Sequence, residues 1–340
     1  MNKPLIIFDF DGTLRDGLNE KVFAFQTVAE ITWRLLKIKG EIREYDKPAM
    51  QERAGRPVGE IGKEYWHKGF EQKGNLFTET YNKVWGDLYG YYRADEKEKT
   101  RLATSGKTSL TQEEMRHIST NMPPAPWFEG TQKLVEDLYK EDFPVGILSN
   151  TSTVASLEGE VDSGNILPFV PIVHTGSPVD TGKPHGYALL HCIAAAWSQE
   201  KAPELLETLN QSVGNKDSKT HKETIDKILN LINKSEKEIR VLVVGDGAPD
   251  MEVAQNAREA LKSFTNATWN IETLAVTFGF QTRKALEKHE PTGIVGRPED
   301  MNKEVLKWAK TGAFSLASAQ QPKQPNGSPQ NDPTYKKCSL

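Results

Sequence analysis

Short apolar runs alternate along the chain with longer stretches of helical spacing. The runs cover residues 5–8, 144–148, 170–173, 241–244 and 274–277. A strand without polar alternation is buried on both faces, which is typical of a parallel sheet covered by helices on each side. The pattern therefore predicts an α/β fold: a Rossmann-like parallel sheet with helices on both faces.

A long segment between the first two runs has no comparable strand. Residues 16–122 show helical spacing, beginning with Val22, Phe25 and Val28, and carry several aromatic side chains farther on. At helical spacing, aromatic residues more often pack in a core than stack on bases. We predict an all-helical domain over residues 16–122, in which the charged, Ser/Thr-rich residues 94–112 form a loop or a frayed helix end.

Two further segments do not fit the strand-and-helix pattern of the expected sheet domain. Residues 198–238 read as a helical insertion, and residues 318–340 are rich in Gln, Pro, Asn and Ser, so we expect a disordered tail. The predicted division is a catalytic core over residues 1–15 and 123–317, a helical domain between its two parts, and the tail. The role of the insertion is left open, and a partner protein could dock there.

Composition narrows the classes of function. The chain has 43 basic and 47 acidic residues and a net charge of −4, which gives no overall field for nucleic acid. Its two cysteines are too few for a zinc cluster, and no apolar stretch approaches the ~20 residues of a membrane span. We expect a soluble, cytoplasmic protein that binds neither nucleic acid nor membrane.

Carboxylates follow two of the predicted strands. Asp9 and Asp11 come after the first run, and Asp246 and Asp250 come after the fourth. Anions buried together need a counter-ion, and oxygen-only ligands favour Mg²⁺. A calcium loop is excluded because its remaining ligands are missing, whereas Asp250 taken alone could cap the helix that follows it.

Phosphate-binding groups occupy the other two loops. Ser149 and Asn150 end the second run, and Lys183 precedes a helix. In isolation Ser149 would be read as a helix cap and Lys183 as a surface residue. In a cleft rich in carboxylates, however, Lys183 would neutralise charge and bind phosphate.

In this order, the four groups resemble the motifs of the haloacid dehalogenase superfamily of aspartate-nucleophile phosphatases. The matching residues are 9–14, 148–150, 182–184, and 245–246 with Asp250. The helical segment, with Gly55-Arg56-Pro57 and the lead-in at 126–130, resembles the C1 cap of phosphoglycolate-phosphatase-like members. The distance from Lys183 to Asp246 is longer than the family pattern, which places the insertion outside it.

The resemblance implies a Mg²⁺-dependent phosphomonoester hydrolase that acts on a small phosphorylated metabolite. Asp9 would attack phosphorus to give a phosphoaspartate, while Asp11 would protonate the leaving alcohol and later deprotonate water. Arg56 would contact the substrate from the cap.

The implied ligand sets complete this picture. The resemblance assigns Mg²⁺ to the Asp9 carboxylate, the Asp11 carbonyl and Asp246, with Asp250 in support. It assigns the phosphate group to the loop residues Gly12, Thr13, Ser149, Asn150 and Lys183.

Two alternatives and one electrostatic requirement remain at this point. A sugar-phosphate mutase would use the same motifs, and a non-catalytic binding or scaffold protein could keep the fold. As an acid at neutral pH, Asp11 needs either a raised pKa or a proton brought by the substrate. Either route predicts a neutral-to-acidic pH optimum.

Overall fold

The computed structural model describes residues 3–315, except 54, 57, 151–156, 159–160, 163–164, 171, 176–181 and 214–217. The predicted tail, the turn at 214–215 that joins the two insertion helices, and Pro57 lie outside the described residues.

A six-stranded, fully parallel sheet forms the centre of the fold, in the order β3-β2-β1-β4-β5-β6. The strands are β1 Leu5–Phe8, β2 Val145–Ser149, β3 Ile172–Thr175, β4 Glu238–Gly245, β5 Thr268–Val276 and β6 Gly293–Val295. The predicted α/β class and all five apolar runs are thereby confirmed. The three-residue β6 was missed because it is too short to form a distinct run.

Strand register brings the predicted loops together. Phe8 lies opposite Ile147 on one side and Val244 on the other, so β1, β2 and β4 end at nearly the same level. The Asp9 N–H donates to the Val244 carbonyl oxygen at 2.8 Å. The residues that follow these three strands therefore lie at one edge of the sheet.

Fourteen helices are described in the part of the chain given above. They are α1 Leu18–Leu36, α2 Lys47–Arg53, α3 Val58–Tyr65, α4 His67–Lys73, α5 Asn75–Tyr92, α6 Glu96–Ser105, α7 Gln112–Asn121, α8 Thr131–Lys140, α9 Gly186–Lys201, α10 Pro203–Val213, α11 Ser218–Ser235, α12 Ala248–Leu261, α13 Arg283–Glu287 and α14 Pro298–Thr311. None of the helices described is both long and apolar enough to cross a membrane.

Helices cover both faces of the sheet. Leu5 and Ile7 pack in a core with α9 and α12, whereas Ile6 and Phe8 pack in a second core with α8 and α14. Because successive side chains of a strand point to opposite faces, a fully apolar β1 requires this double cover.

The segment between β1 and β2 forms helices α1 to α7 and has a separate core. Phe77, Tyr81 and Leu88 are fully buried there, and Trp85 nearly so, which confirms that the aromatic stripe is packing. The expectation for residues 94–112 was wrong in part, since α6 is a regular helix with no buried residue. Asp95 caps the Glu98 N–H, charge pairs join its successive turns, and Leu102 and Ala103 pack against the core of the helical segment.

Two helices, α10 and α11, lie in the predicted insertion and pack against α9. A line of buried polar side chains joins these elements to the sheet. His174 of β3 stacks on His191 of α9 with ring centroids 4.2 Å apart, and His191 lies 5.3 Å from His221 of α11. The Ser212 hydroxyl of α10 lies 2.7 Å from His221 Nδ1.

Burial lowers the pKa of two of these histidines, His191 and His221. Desolvation holds the pKa of His191 well below its ordinary value, with His174 and His221 adding to the effect, and desolvation also lowers the pKa of His221. The unfolded chain takes up protons near pH 6.5 that the folded chain excludes, so stability is complete above this pH and falls below it.

We therefore expect these histidines to lower the unfolding temperature as the pH is lowered from 7.5 to 5.5, against the opposite effect of buried carboxyl groups whose pKa is raised. The drop should be smaller in His191→Gln, because glutamine does not take up a proton. Thermal unfolding of both proteins at both pH values measures the difference, and an equal drop would show that His191 makes no contribution.

Candidate active site

Three buried carboxylates converge at the carboxyl edge of the sheet. Oxygens of Asp9, Asp246 and Asp250 all lie within 4.8 Å of one another, and no other set of three metal-ligating side chains meets so closely in the described residues. Asp250 also accepts a hydrogen bond from the Gly247 N–H at 2.9 Å, at the start of α12. The helix-cap interpretation of Asp250 and its place in the cluster both hold.

Lys183 lies between two of these carboxylates. Its Nζ is 2.5 Å from Asp9 Oδ1 and 2.5 Å from Asp250 Oδ1, and the residue is 4% exposed. Burial alone would lower the pKa of Lys183, but Asp250 and Asp9 outweigh it and raise that pKa. The lysine is therefore a fixed positive charge, as predicted for the cleft.

One lysine does not neutralise three carboxylates. Burial, together with Asp250, raises the pKa of Asp9 to about 7 against the opposing effect of Lys183. Burial, Asp9 and Asp250 likewise raise the pKa of Asp246 well above its usual range. A crowded, oxygen-only set with excess negative charge fits a divalent cation, which would relieve the repulsion.

Asp11 lies beside this cluster, but its carboxylate points to other partners. Arg15 Nε is 2.5 Å from Asp11 Oδ1, and Lys21 Nζ is 2.9 Å from Asp11 Oδ2. Burial would raise the pKa of Asp11, but the two cations and their hydrogen bonds outweigh it and hold that pKa below its usual range. Of the two proton routes considered above, a raised pKa of Asp11 is therefore wrong.

Sequence reasoning missed Arg15, Lys21 and the residues behind them. Glu20 is buried, accepts a 2.8 Å hydrogen bond from the Tyr89 hydroxyl and lies 3.5 Å from Arg15 Nη2. The basic pair stands close to the first motif in sequence and could have been suspected. Tyr89 comes from α5, and no local pattern indicates that it reaches this site.

The two polar residues at the end of β2, Ser149 and Asn150, have different surroundings. Ser149 is buried at the end of β2 and lines the cavity above Asp9. Asn150 was predicted to bind phosphate, but its Nδ2 donates to the carbonyl oxygens of Gly55 (2.7 Å) and Lys183 (2.8 Å), while its Oδ1 accepts from the Lys183 N–H. The amide is occupied in joining the helical segment to the lysine loop.

Gly12 and Thr13 shape the site without lining its cavity. Gly12 has φ +90°, and a Cβ there would lie 2.2 Å from Asp246 Oδ2. Thr13 is fully buried, and its hydroxyl has no hydrogen-bond partner among the described residues. Neither residue is among the described residues that line the cavity, and their contact with phosphate stays a prediction.

Asp246 is held by the loop after β5. The Phe280 N–H donates to Asp246 Oδ2 at 2.5 Å, and Gly279 packs so closely that a Cβ would lie 2.2 Å from the Gly12 carbonyl oxygen. The position of Asp246 thus depends on glycines in two separate loops.

A cavity of about 70 Å³ lies between these groups and the helical segment, and Gly55 and Arg56 form part of its wall. The side chain of Arg56 is 39% exposed, and its Nη1 is 2.6 Å from Glu64 Oε2. The structure thus places Arg56 at the cavity, while its contact with a substrate stays a prediction.

A family model for haloacid dehalogenase-like hydrolases matches residues 3–202, more than half of the chain. The chain belongs to this family. The match agrees with the arrangement of Asp9 and Ser149 at the ends of parallel strands and of Lys183 just before α9. No curated protein matches the chain.

Several solved structures are similar to this chain at low sequence identity. A Lactobacillus plantarum protein provisionally assigned as a phosphoglycolate phosphatase is 13% identical, with a TM-score of 0.50 over 89% of this chain and 99% of that one. A haloacid dehalogenase-like hydrolase from Streptococcus pneumoniae is 18% identical, with a TM-score of 0.47 over 91% and 99%. A hydrolase from Pseudomonas syringae is 14% identical, with a TM-score of 0.49 over 90% and 99%.

Close packing at Gly279 gives a test of how Asp246 is placed. Gly279→Ala should displace Asp246 and cost about 1–3 kcal/mol of stability, because the new methyl group meets backbone. We also expect a divalent cation to raise the unfolding temperature of the wild type and Gly279→Ala to remove that rise. Gly296→Ala is the control, since the nearest atom to its Cβ is 3.7 Å away. Equal behaviour of the two variants would contradict this account.

Proposed function

We propose that the protein is a Mg²⁺-dependent phosphatase that hydrolyses small phosphomonoesters through a phosphoaspartate on Asp9. The observation that carries the proposal is the buried Asp9 carboxylate, which meets Lys183, Asp246 and Asp250 at the base of a cavity also lined by Asp11. In the resemblance described above, dehalogenating members lack the second aspartate, because they have no alcohol to protonate.

The metal ligands in this proposal are Asp9 and Asp246, with the Asp11 carbonyl as a third and Asp250 in support through Lys183. Bound there, Mg²⁺ would supply positive charge to the oxygens of the phosphoryl group.

Asp9 is the nucleophile. Its carboxylate oxygen attacks phosphorus, the bond from phosphorus to the ester oxygen breaks, and the alcohol leaves with a proton. A water molecule then attacks the phosphoaspartate, which releases inorganic phosphate and restores Asp9. Lys183 holds one Asp9 oxygen at 2.5 Å, so it orients the carboxylate while its charge offsets that of the phosphoryl group.

The ion pairs of Asp11 determine whether its carboxyl group is ionised when the reaction begins. Since Arg15 and Lys21 favour the ionised carboxylate, Asp11 begins as an acceptor. The first proton then comes with the substrate, whose phosphate has a second pKa near ~6. Because the substrate must bring this proton, the predicted pH optimum of the reaction stays neutral to acidic.

Asp9→Asn should abolish turnover while the protein still folds, because an amide does not form the acyl phosphate. Release of inorganic phosphate from p-nitrophenyl phosphate, with Mg²⁺ and with a chelator, measures this. Asp142→Asn is the control, since its exposed side chain lies at the other end of the sheet and asparagine adopts its φ of 57°. Asp9→Asn activity above a few per cent, or wild-type activity in the presence of a chelator, would contradict the proposal. Formation of an isomer from a sugar phosphate without free phosphate would indicate a mutase instead.

Lys21→Met should affect esters unequally, because the Lys21 ammonium holds the carboxylate that handles the leaving-group proton. For an alkyl ester, kcat should fall about ten- to a hundredfold, while an aryl ester with an acidic leaving group should lose little. The control is Lys63→Met, which removes a lysine that lies over Phe70 outside this cavity. Equal losses on both esters would show that Lys21 only maintains the fold.

A further inference from the structure

The cavity has two chemically different walls. The wall from the sheet domain carries the acidic and phosphate-facing groups, and Phe280 is its one large apolar member among the described residues. The wall from the helical segment is formed by Lys21, Phe25, Met50, Gly55, Arg56, Val58, Ile61 and Trp85. A substrate phosphoryl group bound at Asp9 would direct its leaving group toward this second wall.

The helical wall offers few polar partners to a leaving group. Among its described side chains there is no hydroxyl, amide or carboxylate, and the indole of Trp85 is the one neutral donor. Its two cations already have partners, since Lys21 pairs with Asp11 and Arg56 pairs with Glu64. Even the Gly55 carbonyl oxygen accepts a hydrogen bond from Asn150.

The other side chains of the helical wall are apolar and closely packed. Phe25 and Ile61 are buried to 2% and 1% exposure, and Met50 to 3%. With about 70 Å³ of open cavity, a bound ester would lie in direct contact with these side chains. Each hydroxyl that enters without a hydrogen-bond partner would lose its water contacts, a loss of about tenfold in affinity for a typical group.

We propose that the preferred substrate is the phosphate ester of a compact apolar alcohol, alkyl or arylalkyl, and not of a polyhydroxylated sugar or glycerol. This inference rests on the proposed phosphatase function. Phe25, Met50, Val58, Ile61 and Trp85 would determine the preference by contact with the hydrocarbon part of the ester.

Two esters of matched size test the proposal. 3-Methylbutyl phosphate and glycerol 3-phosphate are both primary alkyl esters, and their alcohols have the same number of non-hydrogen atoms. We expect kcat/KM for the 3-methylbutyl ester to exceed that for the glycerol ester by tenfold or more. Equal values, or a preference for glycerol 3-phosphate, would overturn the inference.

A single substitution should narrow this preference. Val58→Thr replaces one methyl group of the wall by a hydroxyl of similar size, so the ratio of the two kcat/KM values should fall severalfold. Val22→Thr is the matched control, because Val22 is partly buried on α1 and does not line the cavity. A ratio that moves equally in both variants would show that the wall does not set the preference.

Binding separates this inference from the proposed function. Titration of both esters into Asp9→Asn by calorimetry, with Mg²⁺ present, should show tighter binding of the 3-methylbutyl ester. If wild type hydrolyses p-nitrophenyl phosphate but Asp9→Asn binds the two esters equally, the inference fails and the proposed function stands. If wild type hydrolyses no ester, the proposed function fails, and the two affinities still decide what the wall prefers.

Discussion

The site depends on one electrostatic constraint, which is that carboxylates buried at one place need compensating charge. Lys183 provides part of this compensating positive charge, because it contacts both Asp9 and Asp250. Negative charge remains on the cluster, as the raised pKa of Asp246 indicates, and in the proposed function a cation and then a phosphoryl group would bind there. Without Lys183, the ends of β1 and β4 would repel each other at the point where the sheet must bring them together.

The sheet converts this local requirement into a complete site. Because β1 lies between β2 and β4 in parallel register, their following loops meet over the same few ångströms. The helical segment leaves the sheet directly after β1 and returns before β2, so it closes over that edge from above. Asp11 belongs to both parts, since the loop after β1 carries it and Lys21 of α1 pairs with it.

Sequence reasoning was strongest where the signal is local. The apolar strands, Asp9, Lys183, Asp246 and Asp250 each follow from residues next to a strand end or helix start. It did not find partners that are distant in the chain, such as Gly55, whose carbonyl oxygen accepts from the Asn150 amide 95 positions away. It also failed for α6, because the apolar residues of this helix, Leu102 and Ala103, are too few to show a helical period.

The hydrogen bond from Asn150 to the Gly55 carbonyl oxygen affects which residues near the cavity can be substituted. The Asn150 amide donates to a main-chain oxygen, so this link between the helical segment and the sheet involves no side chain of the helical wall. A partly buried wall residue such as Val58 can therefore change while this hydrogen bond stays intact. A lineage, or an engineer, can thereby retune selectivity without rebuilding the enzyme.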